Sequence, residues 1–420
     1  MTSMPTSHKT HSVNEAFFQP IAGLAEGSPD ARPCPEFSDE DYVRFGVERV
    51  LASAESGRGF LQEHGPRLGN APTQSNYFAT LHSPRRCTLL EQVSQRVLTT
   101  ANGILADRLM KIPELASYEC FAADGHWHKS ATHDPRHEGT KMAVGHFYSL
   151  NLRTHALRHL AVGQGLHEHD MSALKRVKPR GLRQGVPKGR RVLIVYDKAG
   201  IDFAYWKRCR QECAVYFLSR VKENMVLAWE ESTAWDRADP RNRGVMEDMH
   251  VRTRDGHPLR MICYIDPVSG KPFEFLTNEM DLPPGVMVEL YRRRWDVEKV
   301  FDALKNKLGQ IKAWATSLVA KQTQAQFLAL THNLLLLYEQ SLANQHGVRN
   351  DAEDHRRRQR IDQCAKAGSE SGSPLSTLLL HARGATQRSV KFIRWLRASL
   401  RDDLAEAAAV LHLKALYATL

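Results

Sequence analysis

The chain has 420 residues, of which 42% are hydrophobic and 25% charged, a composition that excludes wholesale disorder and leaves room for two or three domains. Its 58 Lys and Arg against 47 Asp and Glu give a net charge of +11. That excess points to a polyanionic partner, nucleic acid first, because basic side chains gain affinity by displacing counterions from phosphates.

Residues 1–37 are rich in Pro, Ser, Thr and His and read as a flexible arm without the basic start and apolar run of a secretory signal. From Ser38 the pattern turns helical: "SDEDYVRFGVERVLASA" opens on a Ser cap and an acidic first turn, with Tyr42, Phe45, Val50 and Leu51 expected inside. A helical N-terminal domain over 38–110 follows, in which the basic "SPRRCTLLEQ" is expected to join two helical pieces and to touch DNA. At "SYECFAADGHWHK" the pattern changes. Tyr118 to Ala123 is a short apolar run that predicts a buried strand with Asp124 at its tip. After a polar, His-rich turn come two strand-like segments, "GHFYSLNLRT" and "HALRHLAVGQ", then the basic loop "KRVKPRGLRQGVPKGRR". Val192 to Tyr196 reads as a strand covered on both faces and ends in a second acid, Asp197.

A helix in "IDFAYWKRCRQE" and a strand in "AVYFLSRVKENM" close a first α/β unit, residues 115–224. Asp-Gly and Ser-Gly turn signals mark 225–285 as a β-rich inserted subdomain. Helix returns over 286–345, a charged Ser/Gly-rich linker is expected at 346–375, and 376–420 reads as a basic helical region. The longest apolar stretch, "FLALTHNLLLLYEQ", is interrupted by Thr331, His332 and Asn333 and falls short of the roughly 20 residues a bilayer requires. No membrane partner is expected, and seven cysteines without a CxxC pair fit a reducing, cytoplasmic setting.

The segment "YRRRWDVEKVFDALK" carries a polar file beside its apolar stripe. At about 100° per residue, Tyr291, Arg294, Glu298 and Lys305 fall within an arc of about 60°. Leu290, Val297, Val300, Phe301, Leu304 and Leu308 form the adjacent docking stripe. Taken alone, the polar file reads more readily as a solvated Arg–Glu–Lys face, because such charge pairings are common. With Asp124 and Asp197 at strand ends, Glu298 completes a three-carboxylate set of the oxygen donors that Mg2+ prefers. Two such ions can drive an in-line phosphoryl transfer.

The pattern Y-x2-R-x3-E-x6-K over Tyr291, Arg294, Glu298 and Lys305 resembles the signature of DDE transposases of the insertion-sequence 4 family. "VLIVYDKAGIDFAYW" and "AADGHWH" are similar to that family's second-Asp and first-Asp strands, and "FLTNEMDLPPGVMVELYRRRWDVEKVFDALKNKL" to the block leading into its acidic helix. The resemblance covers about residues 115–340. It implies an α/β fold: a ribonuclease-H-like catalytic core with an inserted β-rich subdomain, flanked by helical N- and C-terminal regions. It further implies Asp124, Asp197 and Glu298 as ligands of two Mg2+ ions, with Mn2+ able to substitute, and Tyr291, Arg294 and Lys305 as contacts to DNA phosphates. The implied partners are transposon inverted-repeat ends and target DNA, bound by a homodimer in a synaptic complex in a prokaryotic nucleoid. The N-terminal helices are then expected to bind the ends.

Competing assignments remain at several positions. Asp134, before Pro135 in a polar loop, rivals Asp124; Asp202 is expected to cap a helix. His126, His128, His133 and His137 invite a zinc reading, but their spacing matches no closed zinc site. Trp295 either stacks on a base or packs at the helix edge. Lys188 and Arg190, with Lys175, Arg176, Lys178, Arg180 and Arg191 of the basic loop, are expected to line the approach to Asp197. A nuclease that cuts without joining, and a silent DNA-binding regulator, are the alternative functions.

Overall fold

The computed structural model describes residues 11–34, 36–52, 56–67, 72–129, 136–137, 140–141, 143–163, 168, 170–348 and 390–418. The N-terminal part is helical: α1 (Val13–Phe18), α2 (Asp39–Leu51), α3 (Gly57–His64), α4 (Gln74–Leu81) and α5 (Pro84–Ile104). Each starts on a hydroxyl cap, Ser12, Ser38, Ser56, Thr73 or Ser83, whose oxygen accepts from the N–H three residues on. These side chains satisfy donors that a helix start otherwise leaves unpaired. Tyr42, Phe45, Val50 and Leu51 of α2 are buried as their spacing implies.

Composition misleads at two places here. From residue 11 the expected flexible arm contains α1, and Val13, Phe17, Phe18 and Ile21 are buried in the main core. Apolar anchors at this spacing outweigh the polar residues around them. The basic "SPRRCTLLEQ" is no exposed joint either, since it begins the single helix α5. Arg85 holds Asp39 with two bonds of 2.7 and 2.8 Å, and the buried Arg86 donates to the Phe37 carbonyl. Both cations are spent on internal partners.

The α/β part follows with β1 (Tyr118–Lys129), a two-strand hairpin β2 (Arg136–His137) and β3 (Thr140–Lys141), β4 (Ala143–Asn151), β5 (Leu157–Val162), α6 (Asp170–Arg176), α7 (Pro179–Leu182), β6 (Arg191–Val195), α8 (Phe203–Cys213) and β7 (Val215–Arg220). Next come β8 (Leu227–Ser232), β9 (Val245–Thr253), β10 (Pro258–Ile265) and β11 (Pro272–Thr277). One nine-stranded sheet takes the order β5-β4-β1-β6-β7-β11-β10-β9-β8. Its β1–β6 and β6–β7 pairs are parallel, whereas β1–β4 and β4–β5 are antiparallel.

Two strand expectations change. β1 does not end at Asp124: pairing with β6 stops at Ala122, but pairing with β4 continues to Lys129. The hairpin-rich stretch forms no separate sheet, because β11 pairs antiparallel with β7 through Phe275, Leu276 and Thr277 and carries β10, β9 and β8 beyond it. An exposed β7 edge would have left a row of unpaired backbone groups. The turns fall where the sequence signals them, with Gly256 at φ +78 and Gly270 at φ +67, values that favour glycine.

Helices α9 (Pro284–Arg293) and α10 (Trp295–Asp302) lead through a π-helical turn, Ala303–Lys307, towards the 29-residue α11 (Leu318–His346). Beyond it, α12 covers residues 390–401 and α13 runs Glu406–Ala418. Most of the expected linker, from 349 onward, lies outside the described residues. The C-terminal helices join the N-terminal ones: Val13 N–H donates to the Leu404 carbonyl at 2.9 Å, and Trp395 stacks on Tyr338 of α11 at 6.3 Å. Among the described residues no helix is long and apolar enough to cross a membrane.

α2 and α11 meet at Gly46, where an added Cβ would stand 2.0 Å from Cζ of the buried Phe327. Gly46→Ala therefore forces a core ring to move and is expected to lower unfolding free energy by about 1–3 kcal/mol, the usual range for overpacking. Urea denaturation measures it, and a variant as stable as the parent would mean that the contact between these helices is loose.

Candidate active site

The register of two parallel strands sets up the site. Ala122 on β1 pairs with Val195 on β6, and Asp124 and Asp197 each lie two residues further on. Side chains of a strand alternate faces with a period of two, so both carboxylates emerge beside each other on one face. Asp197 leaves β6 as the cap of a short 3-10 turn, its Oδ1 accepting from Ala199 N–H at 2.8 Å, while Ser219 of β7 donates to its carbonyl at 2.7 Å. Asp124 Oδ1 accepts from the N–H of Gly125 at 2.8 Å.

The third carboxylate comes from α10. Val297, Val300 and Phe301 dock this helix, with the Phe301 ring 4.7 Å from that of His126 and 5.6 Å from that of Tyr148. Glu298, on the helix margin, faces Arg294. Arg294 donates through Nη1 to Asp124 Oδ2 at 3.0 Å and through Nη2 to Glu298 Oε1 at 2.9 Å. One guanidinium thus links a β1 acid to an α10 acid.

The segment 291–305 is not the uniform helix its periodicity suggests. α9 stops at Arg293, and tight i to i−3 bonds, Arg294 N–H to Tyr291 O and Val297 N–H to Arg294 O, bracket Arg294. Lys305 lies in the π-helical turn, a loosened geometry frequent at functional sites. The arithmetic of 100° per residue therefore does not describe the segment throughout, since one break falls at Arg294 and the other at 303–307. Even so, Lys305 is close enough to His126 and His128 to disfavour their protonation. Tyr291 is half-buried against the Phe275 ring at 4.8 Å. Trp295 is 56% exposed, so it does not pack at the helix edge.

Burial chiefly pushes the Asp124 carboxyl up to about 6; Asp197 and Glu298 add repulsion, and Arg294 and the Gly125 N–H only partly offset it. Burial also works against the Arg294 charge, but Asp124, Tyr291 and Glu298 leave its pKa above the ordinary value. Three oxygen-donor carboxylates in mutual repulsion form a donor set that a hard divalent cation satisfies. Asp124, Asp197 and Glu298 are the residues that would hold it. Their chemistry fits, but Asp124 and Glu298 at present hold Arg294, and Asp197 accepts from the Ala199 N–H. Among the described residues no three His, Cys, Asp or Glu side chains converge on a point suited to a metal ion.

Other sequence candidates separate from this cluster. Asp202 caps α8, accepting from Tyr205 N–H at 2.8 Å, and pairs with Lys175. Asp134 and His133 lie outside the described residues, as does the side chain of His137. Lys188 and Arg190 precede β6, whereas Asp197 follows it, so they stand at the opposite end of the strand, about 20 Å away at the usual rise per residue. Arg190 is bonded to the buried Glu119 at 2.7 Å. Lys188 and Arg190 thus do not line the approach to Asp197, whereas Lys175, at the other end of the basic loop, pairs with Asp202 just beyond it; position along the chain does not reveal at which end of a strand a charge stands.

Gly125–Lys129, a polar turn by its composition, is strand, and it contributes to a row of imidazoles beneath α10 that local patterns do not announce. His126 and His128 of β1, His146 of β4 and His159 of β5 are all buried, with successive ring centres 4.7, 5.2 and 5.7 Å apart. Alternation of His126 and His128 was the available signal. Burial lowers their pKa values, to about 3 for His126, about 4 for His128 and about 3 for His159, with His146 also far below the ordinary value.

The large sheet with its helical flanks is a mixed α/β fold. The sequence profile of the transposase DDE domain matches residues 118–334. The chain belongs to the transposase DDE domain family. Membership implies a ribonuclease-H-like core, which β1 and β4–β7 supply within the larger α/β sheet, and the family generally uses divalent metal ions. Among solved structures, the chain is similar to a piggyBac transposase in the cryo-EM structure of its synaptic complex with hairpin DNA. Identity is 12%, coverage is 93% of this chain and 84% of that chain, and the TM-score is 0.37. Comparison with curated proteins gives no match.

Because the folded histidines have depressed pKa values, the stability they contribute is present above the unfolded value of about 6.5 and is lost as pH falls through it towards the folded values. Each adds a slope of about 1.4 kcal/mol per pH unit in that window. His146→Gln is expected to make unfolding free energy between pH 6 and 5 less pH-dependent by about one proton, whatever its absolute stability. Urea titrations at the two pH values test this; an unchanged slope would mean that His146 is protonated in the folded chain.

Proposed function

We propose that the protein is a DNA transposase of the insertion-sequence 4 type that binds transposon ends, cleaves their strands and transfers them into target DNA. The observation that supports this most is that Asp124 and Asp197 each follow by two residues the last register pair of neighbouring parallel strands, while Glu298 of α10 shares with Asp124 the Arg294 guanidinium. In this reading the three acids hold two Mg2+ ions, which Mn2+ can replace. When bound, such ions activate a water or 3′-hydroxyl and stabilise the leaving oxygen.

The remaining work falls to the chain's own side chains. Arg294 and Lys305 make charge-assisted contacts to phosphates of the strand being cut, and the Tyr291 hydroxyl donates to a third. Exposure of the Trp295 ring supports a role in stacking on a base. The N-terminal helices α2–α5 take the end sequence, and β8–β11 form an insertion in the core between the Asp197 strand and the Glu298 helix. A homodimer would pair two ends in a prokaryotic nucleoid. The net charge of +11 favours this polyanionic partner.

Incubating the purified protein with Mg2+, labelled end DNA and a target plasmid is expected to yield both nicked ends and joined product. Cleavage without any joined product would replace this reading with a nuclease on the same fold. Asp197→Ala and Glu298→Ala are each expected to abolish cleavage while leaving end binding largely intact; cutting at the parental rate by either would remove that residue from the reaction. For Lys305→Ala, the expected outcome is weaker end binding with a salt dependence reduced by about one phosphate contact, and fluorescence anisotropy across a salt series would expose an unchanged slope.

A further inference from the structure

We infer that Arg294 is an internal counter-ion that keeps the carboxylate site of the DNA-free protein closed to divalent ions, and that a DNA phosphate opens the site by drawing the guanidinium away. The inference rests on the assignment of Asp124, Asp197 and Glu298 made above.

Geometry supplies the first argument. Nη1 and Nη2 of Arg294 bind Asp124 and Glu298 at 3.0 and 2.9 Å, so two of the three acids direct an oxygen at one cation. The Arg294 side chain is only 12% exposed and that of Asp124 17%, where bulk salt screens such pairs poorly. A divalent ion seated between these carboxylates would face the guanidinium at close range with like charge. Metal and Arg294 therefore compete for the same oxygens.

A second argument comes from the donors left over. Arg294 Nε is buried without a hydrogen-bond partner, so the planar fork is not fully used where it stands. A phosphate offers several acceptor oxygens in an arrangement that matches this fork bidentately. An exposed aromatic surface also lies nearby: the guanidinium carbon is 5.8 Å from the ring centre of Trp295 and 5.9 Å from that of Tyr291. Arg294 itself stands at the junction of α9 and α10, where the regular helix bonding is broken. The residue that must move is at a joint, and rings that attract a cation flank it.

When Arg294 turns to a phosphate, Asp124 and Glu298 lose their cation and repel each other and Asp197. Affinity for a divalent ion then rises. DNA binding and metal binding are thereby coupled positively, and linkage requires the coupling to be equal in both directions. The consequence is order: the free protein stays poorly loaded, and the site fills where DNA already lies across it.

The test measures Mn2+ binding directly, by the EPR signal of the free ion, without reference to cleavage. Full-length parent protein is expected to bind Mn2+ weakly alone and about tenfold more tightly or better with a duplex carrying the transposon end, within the usual range of coupling. Arg294→Gln is expected to bind Mn2+ about tenfold more tightly than the parent without DNA, and to show little further gain when DNA is added. Arg294→Lys, which keeps the charge but not the fork, should fall between the two. If Arg294→Gln fails to fold by circular dichroism, the parent's response to DNA and that of Arg294→Lys decide. Mn2+ affinity indifferent to DNA in the parent, or no tighter in the Arg294 variants, overturns the inference. Asp197→Asn separates this from failure of the functional reading: Mn2+ binding that depends on Asp197 but not on Arg294 defeats the counter-ion role alone, whereas binding indifferent to Asp197 defeats the metal-site assignment itself.

Discussion

The parallel pairing of β1 with β6 is the constraint on which the rest of the site depends. Five register pairs, from Tyr118–Arg191 to Ala122–Val195, fix which residues stand level at the strand ends. A slip by one residue would send one of the two aspartates to the other face, because side chains alternate with a period of two. The register is held by strands buried on both sides: Val192, Leu193, Ile194 and Val195 divide between two hydrophobic clusters, one on each face of the sheet. Positioning of two charged side chains is thus delegated to the least polar part of the chain.

Such proximity has an electrostatic consequence. Carboxylates level on adjacent strands repel, and burial at the sheet's face raises the penalty, as the upward shift of Asp124 records. The fold answers with a cation from a third element. Arg294 is supplied from the same helical segment as Glu298, so docking α10 brings an acid and its counter-charge together. An acid delivered without Arg294 would have left three carboxylates facing one another with nothing to compensate them.

Much of this was legible in the sequence, for stateable reasons. Short apolar runs ending in Asp124 and Asp197 reveal strands because parallel strands covered on both faces must be apolar. The Ser38 cap and the α2 stripe are equally local signals. What stayed hidden is what local patterns do not encode. The tight turn at Arg294 and the π-helical turn at 303–307 shift phase by about a residue without altering the hydrophobic repeat. His126 and His128 count as polar in any composition window, yet they are buried, so a strand here carries the composition of a turn. The positions of Lys188 and Arg190 depend on which way β6 runs relative to the site, and only the assembled sheet decides that.

Both edges of the sheet must also be kept from pairing with other chains, and the two are treated differently. At the β5 edge, the Asn333 side chain of α11 accepts from Leu157 N–H at 2.8 Å and donates to its carbonyl at 2.9 Å, reproducing with an amide the two bonds that another strand would make. At the β8 edge, Glu230 and Glu231 put charge on the outermost strand and tie it to Arg252 and His250 of β9. A charged edge discourages a further strand. Two of the residues that interrupt the apolar stretch "FLALTHNLLLLYEQ", His332 and Asn333, therefore have a structural cause. α11 is buried along most of its length because it is the pillar between the terminal helices and the sheet, and these two residues grip the sheet's edge: His332 binds the carbonyl of His155, just before β5, at 3.0 Å while Asn333 bonds both backbone groups of Leu157.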